Sequence, residues 1–309
     1  HNNLVAKSIS RDRFEFILTN LHVCDDDNLD KADKYAKVRP LFDMLNESFF
    51  ENAPHVEHHS IDESMVPYFG RHSLKQFIRG KPIRYGYKIW VGASTQGYVI
   101  WKDPYQGKSQ TIDPAYKQFG LGASVVLNYC DVLRKNGDFS YFLFFDNFFT
   151  SLPLLQELKK RNIRATGTMR EDRIGDCPLE DAKTIKKKER GTLQYKTEPN
   201  KKLIVARWND NSVVTVGSNV SGIEPKVQVK RFSRKEKKHV KIPQPFLINQ
   251  YNKKMGGVDR SDQNMSLYRI QIRGKKWYFP LISDCIDSAE QNAWQLHRNC
   301  GGKLDHLAF

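Results

Sequence analysis

Apolar positions recur at helical spacing over the first fifty residues, and from residue 55 the pattern turns to strands and turns. Ser10 is placed to cap a helix whose apolar side is Phe14, Phe16, Ile17 and Leu21. A polar loop follows, and a second helix is predicted after Pro40, carrying Leu41, Met44, Leu45, Phe49 and Phe50. Neither helix can bury its face alone, so both are expected to pack on later parts of the chain. The stretch 85–94 has the aromatic and β-branched density of a strand, and after the Gly97 turn the apolar run 98–101 returns as a hairpin. A helix over 123–135 is predicted next, then a continuous apolar run over 141–145, as in a buried central strand. Ser151-Leu152-Pro153 opens another helix to about 161, and 163–169 reads as a strand. This order predicts a mixed α/β sheet.

Beyond residue 170 the chain is charged, and the lysine run at 186–188 reads as a solvated loop. Residues 191–232 alternate polar and apolar and read as a small β-rich unit inserted in the larger sheet. Residues 230–241 are intensely basic. A helix is predicted from Phe246 to Gly256-Gly257, and a largely helical tail from Asp262 to Arg298, with Trp277, Phe279, Leu281, Ile282, Ile286 and Trp294 as its apolar contacts. No internal repeat is visible.

Composition narrows the classes. The chain has 309 residues, with 50 Lys plus Arg against 35 Asp plus Glu, a formal net charge of +15. Such a charge draws a protein to polyanions, nucleic acid first and an anionic membrane second. No apolar run approaches the roughly 18 residues of a membrane-spanning helix. The cysteines, Cys24, Cys130, Cys177, Cys285 and Cys300, are odd in number and scattered. A disulfide framework or a zinc site is not implied, and a reducing compartment, cytosol or nucleus, fits best. No signal peptide is visible, and the start at His1 reads as an excerpt of a longer chain.

The candidate chemistry lies in three aspartates, each read as ending a strand or sharp turn: Asp62 in H-S-I-D-E-S-M, Asp146 in Y-F-L-F-F-D-N-F-F and Asp259 in M-G-G-V-D-R-S-D-Q. A carboxylate at the end of an apolar strand is costly to bury without a cation or hydrogen-bond donors. Taken singly, each also has an ordinary reading. Asp146 or Ser151 could cap the next helix, Asp62 could be a turn residue, and Asp259 a cap with Asp262 in the following turn. His55, His58 and His59 precede Asp62 and read as surface or packed histidines rather than metal ligands, because carboxylates suffice.

The motifs resemble those of the piggyBac transposase family, including its transposon-derived host proteins. They are S-I-D-E-S-M-V-P-Y-F-G-R at 60–71, K-P-I-R-Y-G-Y-K-I-W at 81–90, P-Y-Q-G-K at 104–108, F-F-D-N-F-F-T-S-L-P-L at 144–154, G-T-M-R at 167–170 and Y-N-K-K-M-G-G-V-D-R-S-D-Q at 251–263. The resemblance implies a ribonuclease-H-like mixed sheet flanked by helices. It also implies a DDD triad at Asp62, Asp146 and Asp259, with Asp262 as a further aspartate close to the site. Two Mg²⁺ or Mn²⁺ ions would be held by Asp62, Asp146 and Asp259, with Asp62 bridging both. The reaction implied is cleavage at transposon ends, hairpin formation and joining into a TTAA target. The alternative is a domesticated DNA-binding or chromatin protein on the same fold; a nuclease with no joining step is a third reading.

Double-stranded DNA is the implied partner, with a homodimer, a nuclear location and no membrane. The expected DNA-binding residues are Arg71, Lys75, Arg79, Lys81, Arg84, Tyr85 and Lys88, then Lys253, Lys254 and Arg260, with Phe77 and Tyr87 as further stacking rings. Arg269, Arg273, Lys275 and Lys276 form a second basic cluster. The organisation implied is a helical dimerisation and DNA-binding domain split over 1–57 and 264–309. A catalytic core is split over 58–170 and 245–263, and a β-rich insertion domain spans 171–244. Phe69 departs from the family's R-G-R, which removes one cation. The family's acidic N-terminus and C-terminal cysteine-rich module are not in this sequence, so end-specific binding is not expected of it alone.

Overall fold

A computed structural model describes residues 3–107, 112–198, 200, 202–234, 236–271 and 276–309. The first helices are α1 (Asn3–Ser8), α2 (Arg11–Asn20) and α3 (Arg39–Glu51). Ser10 caps α2 by accepting from the Arg13 N–H. Of the apolar side expected of α2, however, Phe14, Phe16 and Ile17 are exposed, while Leu21 just past the helix packs against the core. By contrast, α3 buries Phe42 and Phe49.

The sheet begins with β1 (His58–Pro67), β2 (Gln76–Phe77), β3 (Tyr85–Ser94) and β4 (Val99–Pro104). After α4 (Leu121–Arg134) come β5 (Phe142–Phe145), α5 (Leu152–Lys160) and β6 (Arg164–Thr168). The short α6 (Ala182–Lys187) precedes β7 (Leu193–Glu198), β8 (Leu203–Asn209), β9 (Val213–Ser218), β10 (Val227–Ser233) and β11 (Lys238–Gln244). The chain closes with α7 (Phe246–Lys254), α8 (Gly257–Tyr268) and α9 (Phe279–Asn299).

Strand β1 pairs antiparallel with β3 and parallel with β5, and β5 runs parallel to β6. This mixed order, with β4 antiparallel on β3, is that of a ribonuclease-H-like sheet. The β-rich stretch continues it. β9 pairs with β6, followed outward by β8 and β7, while β10 and β11 form a separate hairpin. Because strand side chains alternate, neighbouring residues feed opposite cores. Ile61, Trp90, Leu143 and Phe145 pack with α4 and α5 through Val126, Tyr129, Leu154 and Leu158. Val66, Ile89 and Val91 pack with Phe42 and Phe49 of α3, Val258 of α8, and Leu281 and Ile282 of α9. Helices from both ends of the chain thus share one core. Ile286, read as an apolar contact, points outward and is exposed.

The outer edge of β4 is closed by side-chain amides. Asn292 of α9 donates to the Val99 carbonyl and accepts from its N–H at 2.7 and 2.8 Å. Asn46 of α3 does the same at Lys102, at 2.9 and 2.8 Å. Gln291 and Gln295 donate to the carbonyls of Gly97 and Gln96 at the hairpin tip. Among the described residues, no helix is long and apolar enough to cross a membrane, and Cys24, Cys130, Cys177, Cys285 and Cys300 are free thiols.

Candidate active site

Asp62 lies inside β1 rather than at its end, because β3 and β5 flank that strand and keep it extended. Ile61 stands opposite Phe145 in the parallel β1–β5 register. The next residues along the two strands are Asp62 and Asp146, so the sheet brings these two carboxylates side by side. Asp146 does not cap the following helix; Ser151 does, accepting from the Leu154 N–H. Asp146 instead accepts from the Phe148 N–H at 2.8 Å and closes a tight turn. That turn is braced by Thr150, whose hydroxyl donates to the Asp146 carbonyl, and by Arg173, whose guanidinium donates to the Phe148 carbonyl at 2.6 Å. Gly167 on β6 makes room for it, since a Cβ there would fall 2.2 Å from the Thr150 hydroxyl oxygen.

Asp259 and Asp262 lie on α8, Asp259 in its first turn and exposed. Asp262 reaches back to β1 and accepts from the Ser64 hydroxyl at 2.6 Å. Helix α8 approaches the sheet this closely because Gly257 has no side chain. A Cβ there would sit 2.2 Å from the Ser94 carbonyl oxygen and 2.4 Å from the Ser60 hydroxyl oxygen.

The Lys81 side chain enters this acidic region, and Lys88 and Arg170 also act on its carboxylates. The Lys81 ammonium is 4.0 Å from Asp62 and 3.5 Å from Glu63, and donates to the Glu63 carbonyl at 3.1 Å. Burial works against its charge, but Asp62, Glu63, Asp259 and Asp262 outweigh burial and hold its pKa up. Burial pushes the Asp62 and Asp146 carboxyls above the usual carboxylate range, Asp62 strongly, and raises Asp262 to about 6. The Tyr251 hydroxyl of α7 has its pKa raised by burial and by Asp146, Asp62 and Asp259, and lies 3.4 Å from that of Thr168.

Among the described residues, no three His, Cys, Asp or Glu side chains close on a single point as a metal cage. The donor chemistry nevertheless fits a hard dication. The donors are carboxylate oxygens, and an ammonium already answers their demand for positive charge. His59 is no ligand. It is buried between the Tyr129 hydroxyl and the Val56 carbonyl, and burial lowers its pKa to about 4. His58 stacks on Phe142, and His55 is exposed.

A family model described as transposase IS4 matches residues 1–294. The chain belongs to this transposase family. It is 50% identical over 310 residues to piggyBac transposable element-derived protein 3 of Homo sapiens, covering 100% of this chain and 52% of that protein. It is 46% identical over 311 residues to piggyBac transposable element-derived protein 2 of Homo sapiens, with the same coverage of 100% and 52%. The chain therefore spans about half the length of these relatives. Its fold matches that of the piggyBac transposase in a cryo-EM structure of the synaptic complex with hairpin DNA. The TM-score is 0.76 at 23% identity, covering 98% of this chain and 63% of that chain. The piggyBac resemblance and the mixed α/β fold read from the sequence are both borne out.

In this member of the family the expected DNA-contacting residues have several settings. Arg71, Arg79 and Arg84 are exposed, and Phe77 and Tyr85 pair their exposed rings at 4.8 Å. Lys75 donates to the Gly70 carbonyl. Lys88 is half-buried in an aromatic box, 4.0 Å from the Trp90 ring and 4.7 Å from that of Phe148. Lys253 is exposed, Lys254 half-buried, and the Arg260 guanidinium is engaged by the Thr95 carbonyl. Tyr87, read as a stacking ring, is wholly buried against Tyr35, Tyr68 and Trp277. Lys276 donates to the Thr19 carbonyl. Arg273 and Lys275 of the second cluster, and Lys108 and Lys235 of the quoted runs, lie outside the described residues. The sequence reading missed Glu63, Ser64 and Tyr251 as members of the site, though all three lie inside the quoted motifs.

Proposed function

We propose that the chain is the core of a piggyBac-type DNA transposase that cuts and joins DNA at TTAA targets with Asp62, Asp146 and Asp259 as its carboxylate triad. The observation that carries this reading is the placement of Asp62 on β1 beside Asp146, the first residue after the parallel strand β5, with a lysine ammonium lodged among the acids. Asp62, Asp146 and Asp259 would hold Mg²⁺ or Mn²⁺. Bound as a pair, the ions would activate the attacking oxygen and stabilise the leaving 3′-oxygen of the DNA strand. Asp62 is anchored by the sheet, Asp146 by its turn, and Asp262 ties α8 to β1 through Ser64. Lys88 lies where a phosphate beside Asp146 could meet it, with Trp90 and Phe148 fixing the ammonium.

The solved neighbour's synaptic complex with hairpin DNA supports double-stranded DNA as the partner. A homodimer, a nuclear location and the division into a split helical domain (1–57, 264–309), a core and an insertion (171–244) are part of the same proposal. The test is a nicking and strand-transfer assay with Mg²⁺ or Mn²⁺ on a TTAA-flanked DNA end, run beside Asp146→Asn and Asp62→Asn. Each variant is expected to lose about 100-fold or more of cleavage, as when a group acting on transition-state charge is removed, while keeping most salt-sensitive DNA binding. Cleavage that survives Asp146→Asn would reject the triad.

A second reading is a host DNA-binding protein without transposition. The names of the relatives, transposable element-derived proteins, favour it. Tight, salt-dependent DNA binding with no nicking in either metal would select it.

A further inference from the structure

We propose that the Lys81 ammonium is a resident counter-ion of the carboxylate cluster, exchanged for a divalent cation when the site is loaded and thereby released toward DNA phosphate. This rests on the metal-dependent reading above and assigns Lys81 a positioning role rather than a simple DNA contact.

Lys81 sits on the turn between β2 and β3, at the surface. Arg79, Pro82 and Arg84 around it are exposed, and Gly80 has a φ of +97°. The backbone is thus outside while the side chain reaches inward to a buried aspartate. Leaving Asp62 without a positive partner would be costly. Among the described residues, no other cation comes within 4.0 Å of Asp62 or Glu63. Lys88 also feels Glu63, Asp146 and Asp62, but its ammonium rests against the Trp90 and Phe148 rings.

The contacts to the carboxylates are loose, and outward movement would also break the hydrogen bond to the Glu63 carbonyl at 3.1 Å. Separations of 3.5 and 4.0 Å exceed the roughly 2.7–2.9 Å of a charge-assisted hydrogen bond. A lysine is also a point charge on a flexible stem, without the two-pronged grip of arginine. Lys81 therefore balances charge without coordinating tightly, and its stem can carry the ammonium outward to the face bearing Arg79 and Arg84. A cation entering the acids and a phosphate arriving outside would then favour the same movement, so metal and DNA would each strengthen binding of the other.

The experiment uses the full-length protein and Mn²⁺ as probe, with free Mn²⁺ counted by electron paramagnetic resonance. Lys81→Met is expected to bind Mn²⁺ more tightly by about tenfold or more, and its metal-free melting temperature is expected to fall. Added DNA duplex should tighten Mn²⁺ binding in the wild type but not in Lys81→Met. Lys81→Arg, which grips carboxylates in two places, is expected to weaken Mn²⁺ binding and serves if Lys81→Met does not fold. Mn²⁺ affinity unchanged in these Lys81 variants overturns the exchange. Asp62→Asn and Asp146→Asn separate the two readings. If they weaken Mn²⁺ binding while the Lys81 variants do not alter it, only the counter-ion role fails. If they leave it unchanged, the metal is elsewhere, and both the counter-ion role and the metal-dependent reading fall.

Discussion

Asp262 and His59 set opposing pH dependences in neighbouring parts of the molecule. Asp262 is raised by burial to about 6 from 3.8. The folded state then binds more protons than the unfolded chain between those values, so this residue costs stability as pH rises through them. His59 is lowered by burial to about 4 from 6.5. Here the unfolded chain binds more protons, so stability rises with pH across the window from 4 to 6.5. Each swing is about 3 kcal/mol, from roughly two pKa units at 1.36 kcal/mol per unit, and the two largely offset. Denaturant midpoints from pH 4 to 7 should therefore show a stronger gain with pH in Asp262→Asn than in the wild type, and a weaker gain in His59→Gln. Parallel profiles for all three proteins would contradict the assignment.

Single residues were legible where chemistry and neighbours disagree. Asp146 stands out because a carboxylate follows four apolar residues on a central strand, and β5 does end just before it. Lys81 was visible as a cation, but not its lodging among acids, which needs the turn after β2 to fold back over β1. Tyr85 and Tyr87 share one face of β3, yet one is exposed and the other buried. The cover on Tyr87 comes from Tyr35 and Trp277, far away in the chain.

For the elements, the same limit separates type from placement. Ser10, Ser151 and Pro40 marked helix starts from local chemistry, and those starts hold. The partner of each face could not be read, so the exposed apolar side of α2 went unforeseen, as did the pairing of β9 on β6. Helix α8 illustrates how much placement matters. It begins at Gly257, where the sequence suggested only the end of α7, and its backbone touches β1 and the end of β3. Gly257→Ala is expected to destabilise the fold by about 1–3 kcal/mol, the usual penalty for overpacking. It should also cut DNA cleavage, since Asp259 and Asp262 ride on the same helix. Gly256→Ala is the control, because nothing lies within 4 Å of a Cβ there. Equal urea midpoints for the two variants would show that the close approach is not needed.

For the whole molecule, the net charge of +15 sets the terms of any encounter with DNA. Each phosphate neutralised releases a counter-ion, so the logarithm of affinity falls with the logarithm of salt by about 0.9 per contact. Arg79 and Arg84 stand exposed beside the Phe77–Tyr85 ring pair. Replacing both with Gln is expected to lower that slope by about 1.8 in magnitude, as measured by fluorescence anisotropy across a salt series. A slope left unchanged would place the DNA path elsewhere.

The amides that close β4 carry a consequence for assembly. A sheet edge with free N–H and C=O groups is a template on which another chain can crystallise as an added strand. Asn46 and Asn292 fill that template at Val99 and Lys102 as a counterfeit strand would, so the ribbon is sealed on the flank where both chain ends converge. Its growing end is β7, on the far flank, where Lys196 and Glu198 are exposed to solvent. Charges on a bare edge are what keep such a strand from recruiting its own kind.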